Sequence, residues 1–242
     1  MKALLGQVRV ELTLTMRQGE QLLVAIGIPL GILVFFSQVK VLESSSFAQP
    51  VDFLAPGVLA LAVMSTSLVA LGIGTGFERY YGVLKRLGST PLGRPRLIAA
   101  KIVSVLVTQI IQFAVLIPVG LALGFDPRNG WLAVAAAAVL GTAAFAGLAM
   151  WLAGTLSGPL NLAVANALYL VLLITSGMMV PFDKLPSSLE IVAKALPAAP
   201  LADIMIGSLS PGQHVHGASW AVLGAWAIVL PSVAALRLRW EP

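Results

Sequence analysis

Residues 53–76 read "FLAPGVLALAVMSTSLVALGIGTG" and contain no charged side chain. A helix needs about 20 consecutive apolar residues to cross roughly 30 Å of hydrocarbon, and this run has the length. Barrel strands alternate apolar and polar positions, which it does not do, so a membrane β-barrel is excluded. Working outward, runs of the same character recur at about 21–39, 98–124, 131–153, 160–180 and 218–236. With 53–75 they make six spans, and the expected fold class is all-α: a polytopic membrane protein forming a single transmembrane domain over 1–242. Composition agrees. Of 242 residues 58% are hydrophobic and 10% charged, against about 25% charged in soluble domains.

The net charge of +5 is explained by topology. With the N-terminus inside, the inner segments hold Lys2, Arg9, Arg17, Arg79, Lys85, Arg86, Arg94, Arg96, Lys101, Arg237 and Arg239, eleven of the fifteen basic residues. The outer segments hold Lys40, Arg128, Lys184 and Lys194, the other four. The imbalance places both termini in the cytoplasm, and nucleic acid is not an expected partner. The N-terminal segment 1–20 lacks the apolar core of a cleavable signal. Its residues 8–17, "VRVELTLTMR", alternate like a strand. A lone strand at a membrane surface would leave its backbone unpaired, so a helix lying in the interface is expected, in contact with membrane lipids.

Six of the basic residues crowd into "GTGFERYYGVLKRLGSTPLGRPRLIAAK", residues 74–101, beside a single acid, Glu78. The inner connection at 76–97 is long for a simple link. Leu84 and Leu87 stand three apart with Lys85 and Arg86 between them, which predicts a short amphipathic helix over "GFERYYGVLKRL" that the turn "GSTP" ends. Such a helix is suited to docking a soluble partner. Topology or contact with anionic lipid would account for the charge alone. The outer connection, 181–217, carries a capping box at Ser187 and Glu190, then Leu189, Val192 and Leu196 at helical spacing before Pro197. A second apolar run, "LADIMIGSL", follows. Two such pieces suggest a re-entrant hairpin in the outer leaflet, or an interfacial cap.

Enzymatic chemistry finds little support. Cysteine is absent, which removes thiol catalysis and thiolate metal sites. "GIGTG" at 72–76 lacks the G-K-[ST] ending of a phosphate loop, so helix packing is the better reading. His214 and His216 share a polar outer loop with no acidic or thiol cluster. No span carries an acid near its middle, which weighs against an ion-coupled secondary carrier. Neutral polar groups do occur: Ser104, Thr108 and Gln112 lie four apart in span three with Gln109 beside them, and Asn166 and Tyr169 lie three apart in span five. Hydrogen bonding between helices is the plainer reading. Thr108, Gln109, Gln112, Asn166 and Tyr169 are also the candidates for lining a substrate path.

The stretch "ERYYGVLKRLGSTPLGRPRLIAAKI" resembles the inner loop of ABC type-2 transporter permeases, in particular the bacterial drug and antibiotic export branch. The resemblance rests on Arg79, on Gly82, Leu84, Arg86 and Leu87 in G-x-L-x-R-L, on Thr90–Pro91, and on Lys101 opening the next span. "SGMMVPFDKLPSSLEIVAKALPAAPL" is similar to the outer-loop pattern of that family through Gly177, Pro181, Leu185–Pro186 and Leu196–Pro197. The resemblance covers nearly the whole chain. It implies that Glu78, Arg79, Gly82, Leu84, Lys85, Arg86, Leu87, Thr90 and Pro91 form a coupling helix seated on a separate ATPase subunit. ATP and Mg would then bind that partner, with no cofactor in this chain. It further implies a second permease subunit, a substrate path between the two near spans two and five, and a bacterial inner membrane. The readings to be separated are the permease subunit of an exporter of lipophilic drugs, antibiotics or lipids, an ion-coupled carrier, and a non-transporting scaffold or immunity protein.

Overall fold

The computed structural model describes residues 2–17, 19–38, 47, 49–90, 93–179 and 192–240. Among them there is no strand. The chain opens with α1 (Lys2–Arg17) and α2 (Gly19–Gln38), whose axes bend by 67°. The alternation in 8–17 is thus overruled: residues 2–17 are one continuous helix, held by a tertiary contact described below. Span two is a single 31-residue run, Pro50–Tyr80, made of α3 (Pro50–Met64), a π-helical turn (Ser65–Ala70) and α4 (Leu71–Tyr80). After it come α5 (Val83–Gly88), α6 (Arg94–Ala122), α7 (Trp131–Thr155), α8 (Gly158–Thr175), α9 (Ala198–Leu209) and α10 (Gly217–Arg237). Five of these runs are long and apolar enough to cross a membrane, and the bent α1–α2 pair supplies a sixth.

Span two is the axis of the bundle. Every residue of α3 after Pro50 is buried, and α2, α6, α7 and α9 all pack against it. The apolar sequence that identifies the span also lets neighbours enclose its first half, α3. By contrast α10 is mostly exposed and leans chiefly on α7. That contact needs small residues: a Cβ on Gly147 would strike the backbone of Leu230 and Pro231, and one on Gly154 would lie 2.7 Å from Leu238. The glycines of "GIGTG" serve packing too, with Gly72 against Ala149 and Gly76 against Asn161.

Several boundaries differ from the sequence reading: span two begins at Pro50 and span five ends at Thr175, and the basic connection is rearranged. "GFERYYGVLKRL" is not one helix. Residues 76–80 continue span two, the chain turns at Tyr81–Gly82, and α5 is a separate short helix. Gly82 has φ +76°, a left-handed conformation that glycine adopts at little cost and that breaks the run. Span three begins at Arg94, earlier than 98, with Pro95 in its first turn and Gly93 at φ +70° before it. Beyond span five, Gly177 (φ +75°) turns the chain, residues 192–195 are helical, and Pro197 caps α9, nine of whose twelve residues are buried. Pro91, Pro181, Pro186 and the capping box Ser187–Glu190 lie outside the described residues.

Candidate functional site

The basic stretch divides into a buried base and an exposed tip. At the base Lys101, with its side chain 2% exposed, sits between two carboxylates: its Nζ lies 3.0 Å from Glu11 on α1 and 2.9 Å from Glu78 on α4. Glu11 also accepts a bond from Gln7 at 2.8 Å. A lysine so placed has left water completely, and only paired carboxylates make that tolerable. The neighbouring Arg79 faces elsewhere. It is buried, and its guanidinium donates to the carbonyls of Ala153 (3.2 Å) and Leu156 (2.9 Å) where α7 ends. Carbonyls at a helix C-terminus lack intrahelical donors, and a cation there satisfies both their hydrogen-bonding need and the helix dipole.

The tip is α5. Leu84 is fully buried in a small apolar cluster with Leu97 and Ile98 of α6, Met150 of α7, and Ala234 and Leu238 at the end of α10, with Leu87 packed on its edge. Lys85 and Arg86 point outward, as do Tyr80, Tyr81 and Val83, and Thr90 is also exposed. The i, i+3 leucines therefore seat the helix and turn its basic side to the exterior; Tyr80 at the end of α4 and Tyr81 on the turn are exposed just before it, their rings meeting edge to face at 5.2 Å.

The polar residues of span three are buried inside the bundle. Gln109 donates to Ser67 (3.1 Å) and accepts from Thr142 of α7 (2.8 Å). Gln112 donates to the carbonyl of Ala25 on α2 (2.9 Å) and accepts from Thr66 (3.0 Å). Thr108 turns back to its own helix at Ser104. Both glutamines thus hold the π-helical turn of span two, where Thr66 and Ser67 also bond the carbonyls of Ala62 and Val63. A π turn disrupts the regular ladder of backbone bonds, and hydroxyl and amide groups here supply partners that lipid cannot. Asn166 is elsewhere: exposed on α8 and donating within its own helix to the Leu162 carbonyl (2.9 Å). Tyr169 is half-buried against the core. The five residues do not form one lining within this chain.

Sequence reasoning missed Glu11, whose signal was its being the one acid among residues 1–19. It also missed Asp203 of α9. This acid accepts from the backbone N–H of His216 (3.0 Å) and from Ser219 Oγ (2.6 Å), and His216 Nδ1 lies 2.7 Å from it. Asp203 thereby caps the start of α10 from a different element. Among the described residues no group of three His, Asp or Glu is placed to hold a metal.

Residues 7–209 match the ABC-2 type transporter family. The chain belongs to that family. The match takes in most of α1, the five helical runs from α2 to α8, the α5 tip and α9; α10, whose end helps to seat Leu84, lies beyond it. A comparison with curated proteins finds no match. As an ABC-2 family member the chain is an integral membrane transport subunit, and transporters of this family work in general with an ATPase partner. It is a transport component and not itself a catalyst.

Proposed function

We propose that this chain is the permease subunit of an ATP-driven exporter, with α5 as its coupling helix. The observation that supports this is the two-sidedness of α5: Leu84 seats it on α6, α7 and α10, while Lys85 and Arg86 face outward beside Tyr80 and Tyr81. A short helix fixed on one side and basic on the other, with an exposed tyrosine pair at the turn just before it, fits a groove on a partner, since aromatic residues and arginine dominate binding hot spots. The partner is a separate ATPase subunit that binds ATP and Mg. α5 lies on the cytoplasmic side of a bacterial inner membrane in this reading, and the basic residues around it support that orientation. α9 is the re-entrant element of the opposite side.

Two such permeases form the transporter. The substrate path runs between them, along the open side of the π turn, α4 and α8, where Ala70, Gly74 and Asn166 are exposed. Its apolar character suits a lipophilic drug, antibiotic or lipid. Gln109 and Gln112 act in this scheme by holding the π turn behind that surface.

Reversal of charge at the tip tests the reading. Arg86→Glu leaves the apolar seat of α5 intact, so expression and insertion are expected to stay normal. Copurification of the ATPase should fall by an amount equivalent to about 2–5 kcal/mol, the cost of breaking a desolvated charged contact on one side. Normal copurification together with a normal export rate in this variant would refute the docking assignment.

A further inference from the structure

The buried base of the stretch lies apart from the exposed tip and calls for its own explanation. Lys101 joins three elements that are distant in sequence: α1 through Glu11, the end of span two through Glu78, and the start of span three on which it stands. Glu78 lies five residues before α5 begins, and Lys101 lies on the first two turns of the helix that follows it. The Glu78–Lys101 pair therefore staples the two legs of the α5 segment together. Glu11 then attaches α1 to that staple. Packing agrees, because α1 rests mainly on α6 and only lightly on α2, the helix that continues it. On its far side α1 exposes Leu5, Val10, Leu14 and Met16, a surface fitted to the lipid interface.

A fully buried lysine shared by two carboxylates does not slide. Either all three groups move as a unit or charges are left unpaired in an apolar setting. Resting on the reading of α5 as the coupling helix, we propose that Glu11, Lys101 and Glu78 form a transmission link that makes α1 follow the α5 segment. Motion of the ATPase thus reaches span one through α1, in addition to spans two and three directly. The three are positioning residues, and Glu11 is the one whose removal separates the link from the staple.

The absence of cysteine permits paired spin labels without a background. Labels at Thr13→Cys on α1 and Ser89→Cys beside α5, both exposed sites, report the distance within the linked unit. Labels at Ser89→Cys and His214→Cys, on the opposite side of the bundle, report motion of α5 itself. Both pairs would be measured on the assembled transporter in nanodiscs, with and without ATP plus vanadate. In the otherwise unmodified chain the Ser89–His214 distance should shift with nucleotide while the Thr13–Ser89 distance keeps its position and width. With Glu11→Gln the first shift should persist, and the second distance should broaden and become nucleotide-dependent; export per ATP hydrolysed should drop several-fold, and Glu11→Asp should restore both. A Thr13–Ser89 distance that stays invariant in Glu11→Gln, or that varies equally in both backgrounds, overturns the link. If nucleotide leaves the Ser89–His214 distance unchanged in the unmodified chain, the ATPase reading fails and the link falls with it.

Discussion

Arg79 and Arg86 lie seven residues apart in one basic stretch and have opposite fates. Arg79 is buried and satisfies the carbonyls of Ala153 and Leu156; Arg86 is exposed beside the rim of a small apolar cluster. The same division separates Lys101, enclosed by Glu11 and Glu78, from Lys85 on the outer side of α5. Charge at the base therefore determines how helices meet, whereas charge at the tip lies on the exterior. One composition serves two purposes because the turn at Gly82 reorients the chain between them.

The largest effect on the fold should come from Lys101→Met. It leaves Glu11 and Glu78 facing each other with no cation, and removing one member of a buried ionic group costs about 3–5 kcal/mol. Thermal unfolding in detergent should show a marked loss of stability or no folded protein, whereas Arg86→Gln should stay within about 0.5 kcal/mol of the parent. Comparable stabilities for the two variants would abolish the distinction between base and tip. Arg79→Met comes next. Two carbonyls at the end of α7 lose a charged donor, and hydrogen bonds to charged groups are worth about 1.5–3 kcal/mol each. The effect should concentrate at the α7–α8 turn, which hydrogen exchange of residues 153–158 can localise.

A smaller change is expected at the centre of the membrane. Gln109→Leu removes the bonds to Ser67 and Thr142. Interhelical bonds of this kind average about 0.6 kcal/mol, so the total is about 1–2 kcal/mol. Because Gln109 is enclosed, transport of every substrate should fall in parallel with stability. A change of substrate preference at unchanged stability would instead place Gln109 on the path.

What could be read from the residues alone follows the same division. The spans were legible because each is a long apolar run, a property of local sequence. The amphipathic character of α5 was legible from Leu84 and Leu87. The base was not, because its pairing joins Glu11 to Lys101 across 90 positions and Glu78 to Lys101 across 23. Nothing near Arg79 indicates that it will meet the end of α7 while Arg86 will not. Gln109 and Gln112 showed their helical spacing, yet whether such residues face a cavity or a neighbouring helix depends on which helices pack there. The helix α1 is expected from the cost of an unpaired strand at an interface and not from its periodicity, which is strand-like; the contact that holds it on α6 is tertiary and was not legible.

The smallest expected effect on the fold belongs to the test of orientation. Single cysteines at Ser89 and His214 replace exposed side chains at opposite ends of the bundle, so neither should alter stability measurably. In intact cells an impermeant thiol reagent should label His214→Cys and leave Ser89→Cys unmodified until the membrane is opened. The physical basis is the imbalance of basic residues, eleven against four, which retains the more basic segments on the cytoplasmic side. The result also bears on the comparison of base and tip. If Ser89→Cys reacts from outside, α5 faces away from cytoplasmic ATP and its exposed Lys85 and Arg86 have no ATPase to meet. The base would survive that outcome unchanged, because Glu11, Lys101, Glu78 and Arg79 are satisfied by the chain itself whichever side of the membrane they occupy.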